Sequence, residues 1–440
     1  MATIIEPRIL KGFRDLLPDQ ELVRKRIIRT LEDVMEQYGF VPIDTPVLEL
    51  TEVLLGKGGG ETDKQVYHFK DAGERDVSMR FDLTVPFARF IAAHRNELYV
   101  PFKRFHFAKV WRGENAQRGR YREFMQCDFD MVGVDSAGAD FEILLLMNKA
   151  FQAMGISKVR FHVSHRGIFN RFLEHQGIRE HSVEILRRVD KLGKIGRAET
   201  KTLLLELMDE ARAEAVLSYI TPVGAAQALP EHKLATLEHM ETLAGGPAED
   251  SQRLRLLFAM AAELGIADKF VLDPSITRGL DYYTGIVYET FLEDLPTIGS
   301  VCSGGRYNDL AGVYTKEVLP GVGSSIGLDR LLAGLEELGL VDTAPRSCQL
   351  LVLCQDEALL AYYHGIAEAA RMVGINTEVY PQAKKLQQQF GHAEKKRIRF
   401  GIICGASEQG SGLINLKNLE TRASFDGISR EEAFRIIHKG

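Results

Sequence analysis

The sequence predicts an α+β body built on an antiparallel sheet, interrupted by a helical insertion and followed by a smaller α/β domain. Three observations predict it. "FKRFHFAKVWR" and "REFMQCDFDMVG" each alternate in character and flank the polar, glycine-bearing "GENAQRGRY", the pattern of an antiparallel hairpin with a long tip. Residues 167–269 are charged and helix-rich without alternation. After residue 346, strand-like "CQLLVLCQ", "INTEVY" and "RFGIICG" are separated by helix-like "EALLAYYHGIAEAARMVG" and "KKLQQQFGHAEKKRI", which implies a largely parallel sheet.

The elements follow in order. Pro18 and Asp19 signal a helix start, Ile27, Leu31, Val34, Met35 and Tyr38 recur at helical spacing, and Gly39 stops it. "FVPIDTPVLEL", with two prolines, reads as an extended segment or edge strand. "LLGKGGGETDKQ" reads as a loop, since consecutive glycines hold regular structure poorly. "MRFDLTVPFARF" reads either as a strand end with Thr84 as N-cap of the helix at Pro86 or as a face that presents Asp82 and Thr84 to a ligand. Beyond the insertion, strand character returns in "KFVLDPSITRGLDYYTGIVYETFL". "SGGRYNDL" reads as a turn, "PGVGSS" as a glycine-rich approach to the helix "IGLDRLLAGLEEL", and "GLVDTAPRS" as a linker. The expected boundaries are 1–166 and 270–336 for the body, 167–269 for the insertion, 337–346 for the linker and 347–440 for the last domain.

Composition narrows the function classes. With 45% hydrophobic and 26% charged residues the chain is ordinary for a soluble protein. No apolar run approaches the roughly 20 residues that span a bilayer. "MATIIEPRILKGFRD" has no secretory or organellar presequence character, so a cytoplasmic, membrane-free protein is expected. Five scattered cysteines show no zinc spacing. The net charge of -6 argues against wholesale coating of nucleic acid, yet residues 346–440 carry 13 Lys+Arg against 10 Asp+Glu, or +3, leaving -9 elsewhere. A mildly basic module on an acidic body suits an anionic partner.

Several side chains converge if the hairpin forms. Side chains two apart on a strand share a face, so Arg104, His106, Val110 and Arg112 align on one strand, and Arg122, Phe124, Gln126, Asp128 and Asp130 on the other. Such a face is either a solvated surface of cross-strand ion pairs or a pocket for a ligand with both charge signs and a flat ring. The loop adds Glu114, Arg118 and Arg120, and arginine suits phosphate through its bidentate fork. Asp82 and Thr84 could receive an ammonium group. "TRGLDYYTG" sets Arg278 beside Tyr282 and Tyr283, reading either as an edge strand or as a pocket wall. Arg330, in the helix after "PGVGSS", is either a phosphate contact or a surface residue.

The order of these pieces, with "RFDLTVPFARF", "RGRYREFMQCDFD", "VDKLGKIG" and "RGLDYYTG", resembles the class II aminoacyl-tRNA synthetases and specifically the histidyl-tRNA synthetase family, over nearly the whole chain. The resemblance implies activation of histidine by ATP, with Mg2+ accompanying the nucleotide, followed by transfer to the histidine tRNA by a homodimer. It implies that Asp82, Thr84 and Gln126 hold the amino group and that Asp130, Tyr282 and Tyr283 hold the imidazole. Arg278 and Arg112 would meet the substrate carboxylate and the α-phosphate. Glu114 would meet the adenine edge and Phe124 its face, with Arg120 and Arg330 on the phosphates. Gln117 and Arg118 would meet the tRNA acceptor end, and the last domain would bind the anticodon. Asn308 stands where the family usually has aspartate, and Asp329 where it often has glutamate. A regulatory, non-catalytic relative of the ATP phosphoribosyltransferase system resembles the same body, but typically lacks the last domain and the arginines kept here as Arg112, Arg278 and Arg330. A domain sensing uncharged tRNA would sit beside a kinase, and no kinase signature occurs.

Overall fold

A computed structural model describes residues 4–56, 65–115, 117–224, 230–276, 282–342 and 346–439. The chain divides into two compact units, one of Met1–Asp15 with Ile27–Val341 and one of Leu16–Arg26 with Asp342–Gly440.

The first unit has strands β1 Val41–Pro42, β2 Leu48–Leu50, β3 His68–Lys70, β4 Asp76–Met79, β5 Phe102–Trp111, β6 Glu123–Val132, β7 Val159–His165, β8 Phe270–Leu272, β9 Ile286–Leu292, β10 Cys302–Tyr307 and β11 Gly321–Gly327. Eight of them form one sheet in the order β1-β5-β6-β11-β10-β9-β7-β8. Its interior pairs are antiparallel, and only the edge pairs β1–β5 and β7–β8 are parallel. The hairpin expected from alternation is β5–β6, in register from Phe102↔Val132 to Trp111↔Glu123. Strands β2, β4 and β3 make a separate antiparallel ribbon.

The first helix, Pro18–Gln37, buries Leu31, Val34 and Met35 at the predicted spacing, and Gly39 follows at φ +74°, a conformation that costs glycine little. Helix Ala137–Ala153 is capped by Ser136, whose side chain accepts from the Ala139 amide at 3.1 Å. Its buried Phe151 packs edge-on against Phe161 of β7, and Phe161 lies 5.3 Å from Phe270 of β8. Between β7 and β8 the described elements are helical, and Phe172 stacks on Tyr219 at 4.6 Å in their core.

Two glycine-rich readings are corrected. "SGGRY" is not a turn, and "GVGSS", read as a glycine-rich approach to the next helix, is itself a strand: they are the paired strands β10 and β11 at the sheet centre. The reason is space. A Cβ on Gly304 would lie 2.2 Å from the Gly323 carbonyl oxygen, and one on Gly305 would lie 2.5 Å from that of Ile286 and 2.9 Å from the Tyr283 ring. Glycine here marks close approach, not a bend.

In the second unit, β12 Leu350–Val352, β13 Thr377–Val379, β14 Phe400–Ile403, β15 Ile414–Asn418 and β16 Ser424–Ile428 form a sheet in the order β13-β12-β14-β15-β16. It is mixed, where a largely parallel sheet was expected. β12 pairs in parallel with β13 and β14, while β14–β15 and β15–β16 are antiparallel. Helices Leu360–Met372 and Arg430–Lys439 bury Ile366, Ala370, Phe434 and Ile437 with Val352, Ile402 and Leu416 of the sheet. Among the described residues, no helix is long and apolar enough to cross a membrane.

Candidate active site

The face shared by Gln126, Asp128 and Asp130 on β6 is buried, not a solvated row of ion pairs. Asp130 stands between Arg104 of β5 and Gly323 of β11 in register. It takes a 2.7 Å ion pair from Arg104, whose side chain is fully buried, and accepts a 2.5 Å hydrogen bond from the Tyr307 hydroxyl. Arg104 lies 4.2 Å over the Phe87 ring and also reaches the Leu83 carbonyl. One row along the sheet, Asp128 sits between His106 and Ser325. One row further, Gln126 donates to the Ser325 hydroxyl at 2.8 Å and leaves its own carbonyl oxygen without a hydrogen-bond partner.

Asp82 enters from the strand-to-helix turn. Its Oδ1 accepts from the Val85 amide at 3.1 Å, so Asp82, and not Thr84, caps helix Thr84–Ala93. Thr84 stands two residues later, already inside the helix, and Leu83 at the N-cap position makes no side-chain cap bond. The Thr84 hydroxyl is instead in hydrogen-bond contact with that of Tyr282. Asp82 Oδ2 is buried without a partner. Tyr282 and Tyr283 meet edge to face at 4.8 Å, and Tyr282 meets Tyr307 at 5.9 Å.

These neighbours set the electrostatics. Burial pushes the Asp82 carboxyl up to about 6, against the pull of the Val85 amide, Arg112 and Arg104. Burial likewise raises Asp130, with Arg104 and the Tyr307 hydroxyl opposing. Both tyrosine hydroxyls are pushed up by burial and stay neutral. The result is a cluster of acceptors against one fully buried cation, with open acceptor atoms on Asp82, Asp128 and Gln126 and open donors on Arg104. An unpaired buried acceptor is costly, on the order of 1–3 kcal/mol. A ligand rich in N–H donors would relieve that cost.

A second group surrounds the hairpin tip. Arg112 donates from Nε to the Phe81 carbonyl at 2.9 Å, and its guanidinium lies 5.1 Å over the Phe124 ring. Glu114 stands 3.8 Å from Arg112 and 3.6 Å from Arg120. Gln117 and Arg120 exchange backbone hydrogen bonds across Gly119. Gly119, at φ +67°, backs onto Arg330, where a Cβ would come within 3.3 Å of its side chain. Arg330 donates to the Ser300 carbonyl at 2.7 Å, and Arg118 pairs with Glu337 at 2.6 Å. The tip thus gathers several guanidinium groups beside a half-buried aromatic ring, the chemistry that suits a nucleotide polyphosphate.

Both residues that depart from the family pattern have structural partners. Asp329 accepts from the Met125 amide at 2.6 Å and pairs with Arg14, which lies 3.9 Å over Tyr121. Asn308 bridges Arg306 and Asp135 at 3.2 and 2.9 Å. Arg278 lies outside the described residues. The sequence reading missed Arg104 and Tyr307 as partners of Asp130. Their register across β5, β6, β10 and β11 is non-local, and only the shared parity of Arg104 and Asp130 hinted at it.

Gly323 supplies a test of this packing. A Cβ there would fall 1.9 Å from Asp130 Oδ1. Gly323→Ala should push Asp130 off Arg104 and Tyr307, lower stability by about 1–3 kcal/mol as overpacking does, and weaken ligand binding in this pocket. Denaturant melts check the first effect. A variant as stable as the parent would mean that the sheet yields here without cost.

Comparison with known proteins follows the same two units. The family model described as histidyl-tRNA synthetase matches residues 12–331, and one described as an anticodon binding domain matches residues 349–439. The chain is 55% identical over 403 residues to a histidine--tRNA ligase of Treponema denticola, covering 92% of this chain and 90% of that one. It is 48% identical to that of Treponema pallidum subsp. pallidum over 96% of each. Its fold is similar to the crystal structure of histidyl-tRNA synthetase from Nostoc sp. PCC 7120, with TM-score 0.87 and 31% identity over 99% of this chain and 100% of that one.

Proposed function

Because the chain belongs to the histidyl-tRNA synthetase family, its reaction is the ATP-driven joining of histidine to tRNA, and we propose that the pocket between β6, β11 and the Asp82 turn is where histidine is activated. One observation carries the assignment: buried acceptors on Asp82, Gln126 and Asp130 converge with two tyrosine hydroxyls, and some of those acceptors have no partner. Histidine supplies what they lack, an ammonium group with three N–H bonds and a ring bearing a further donor. Asp82, Thr84 and Gln126 take the amino group, and Asp130, Tyr282 and Tyr283 the imidazole. Arg278 and Arg112 take the carboxylate. Arg278 is assigned from its sequence motif alone.

ATP, entering as its magnesium complex, lies along the hairpin tip. Phe124 stacks on the adenine, Glu114 meets its edge, and Arg112, Arg120 and Arg330 hold the phosphates. The histidine carboxylate oxygen then bonds to the α-phosphorus as the bond to pyrophosphate breaks. No protein nucleophile is needed. The fixed arginines stabilise the charge that develops in line, which is catalysis by positioning and electrostatics. In the second step the terminal ribose hydroxyl of the tRNA, guided by Gln117 and Arg118, attacks the histidyl carbonyl carbon and AMP leaves. The second unit binds the anticodon arm. We infer a cytoplasmic homodimer. The exposed Val47, Leu48, Leu50 and Phe69 beside the small ribbon support a subunit contact, and all five cysteines are buried without a disulfide.

Pyrophosphate exchange run with each amino acid in turn tests the pocket. Histidine should drive exchange, while phenylalanine and leucine should drive little. A site built for N–H donors rejects substrates that leave its buried polar groups unpaired. Equal exchange with an apolar amino acid would overturn the assignment.

A further inference from the structure

One acid on the pocket face has no part in the reading above. Asp128 is 1% exposed, and neither carboxylate oxygen has a hydrogen-bond partner among the described residues. It lies between Gln126 and Asp130 on β6, so its side chain shares their face. Across the sheet its neighbours are His106 on one side and Ser325, then Ser303, on the other. Both neighbours on that side are serines, Ser325 half-buried and Ser303 exposed.

The charges around Asp128 do not balance it. Arg104 of β5 pairs with Asp130 through Nη2, and its Nε and Nη1 make no hydrogen bond, so its charge acts on Asp128 without a bond to it. His106, opposite it, is held neutral, since burial and the charges of Arg104 and Arg80 push its ring down to about 3 even with Asp44 on its Nε2 at 3.0 Å. The remaining groups that act on or feel Asp128 are Asp130 and Asp82, both acidic, the Ser325 hydroxyl, the Tyr283 hydroxyl, the Cys302 thiol of β10, and Arg80 at a distance. A buried acid with so little support persists where it serves a ligand or a rigidly held network, and the support described for this one is the Ser325 hydroxyl and the charge of Arg104.

We propose that Asp128 is a specificity-determining residue that accepts a hydrogen bond from the cationic amino-acid substrate. The proposal rests on the histidine pocket assigned above. Geometry supplies the site, a buried acceptor in the row between the residues assigned to the amino group and to the ring. Electrostatics supplies the coupling. Burial and the neighbouring acids push the empty-pocket carboxyl up to about 7, with Arg104 and Ser325 opposing. A cation arriving beside it lowers that value, so binding near neutral pH releases a proton. Affinity should therefore rise with pH up to about 7 and level off above it.

The test is calorimetric binding of histidine to the whole protein between pH 5.5 and 8.5, repeated with a triazole analogue of histidine whose ring does not titrate in that range. Each titration is run in two buffers of different ionisation enthalpy to count protons. Asp128→Asn keeps the shape and removes the charge. It should bind histidine about 10- to 100-fold more weakly at pH 8, the scale for losing a hydrogen bond to a charged group. It should also flatten the pH dependence seen with the analogue and leave the turnover number less affected than KM. Unchanged affinity and an unchanged pH profile in the variant would overturn the proposal. If the variant fails to fold, the wild-type proton count decides: binding of the analogue at pH 7 without proton release also overturns it. Failure of the wild-type protein to bind histidine at all would instead remove the pocket assignment itself.

Discussion

Alanine at Arg112 is expected to lower histidine-dependent pyrophosphate exchange by about 10²–10³-fold while leaving the fold intact, the loss typical of removing one transition-state donor. The structure shows why the effect should be catalytic. Arg112 is anchored by the Phe81 carbonyl at 2.9 Å and the Phe124 ring at 5.1 Å, with Glu114 3.8 Å away and the buried Asp82 carboxyl within reach of its charge. These contacts hold the guanidinium in place before the reaction begins, so no reorganisation is needed as charge builds on the α-phosphate. Asp82 is the buried acid that feels the Arg112 charge, and it keeps the Val85 amide and Arg104 in the variant. An interaction made mainly in the transition state lowers kcat and kcat/KM together. Arg112→Lys should recover only part of the loss, because a point charge replaces a planar fork. The same scale of loss is expected for Arg278→Ala, which we propose meets the same phosphate. A folded Arg112→Ala protein with near wild-type exchange would remove this residue from the mechanism.

The parts of this site that could be read from the sequence are those encoded by period. Alternation over residues 102–132 is local, and it places Arg104, Gln126, Asp128 and Asp130 on one face before any fold is known. What period cannot encode is which strands come to lie beside that face. Gly304, Gly305, Gly321 and Gly323 look like turn residues in one dimension. In three dimensions they make room for the Gly323 carbonyl, the Tyr283 ring, Tyr307 and Asp130, contacts fixed by strand order and not by local preference. The cap at the start of helix Thr84–Ala93 shows the same limit on a smaller scale. Both Asp82 and Thr84 are good capping residues, and the choice fell to Asp82 because the helical backbone begins at Thr84. In the second unit the alternation of strand and helix held as far as β14. Beyond it β15 and β16 pair antiparallel, a strand direction that no local pattern encodes.

Ending the chain before Arg346 should separate the two halves of the reaction. Histidine-dependent exchange should be largely retained, because every residue assigned to histidine or ATP precedes that point. Aminoacylation of tRNA should fall about 100-fold or more. Contacts from a basic module to phosphates supply affinity and register on a long nucleic acid, and each 1.4 kcal/mol lost is a factor of ten. The module removed carries the +3 charge and the stretch "KKLQQQFGHAEKKRIR". Its own sheet and a core of Leu350, Val352, Ile402, Leu416 and Phe434 mark it as a folded unit. The cut has one structural cost that the sequence did not reveal. The second unit also includes Leu16–Arg26, so truncation strips that segment of the residues it packs with. Circular dichroism and sizing must therefore show a folded protein of unchanged oligomeric state before the activities are compared. A companion protein that keeps the whole chain but replaces Lys395, Lys396 and Arg397 with serine avoids the cut. It should weaken aminoacylation at moderate salt, spare exchange, and reduce the salt dependence of tRNA binding, since fewer counterions are released. Equal loss of both activities in these folded proteins, or loss of neither, would show that the second unit is not a separate tRNA-binding module.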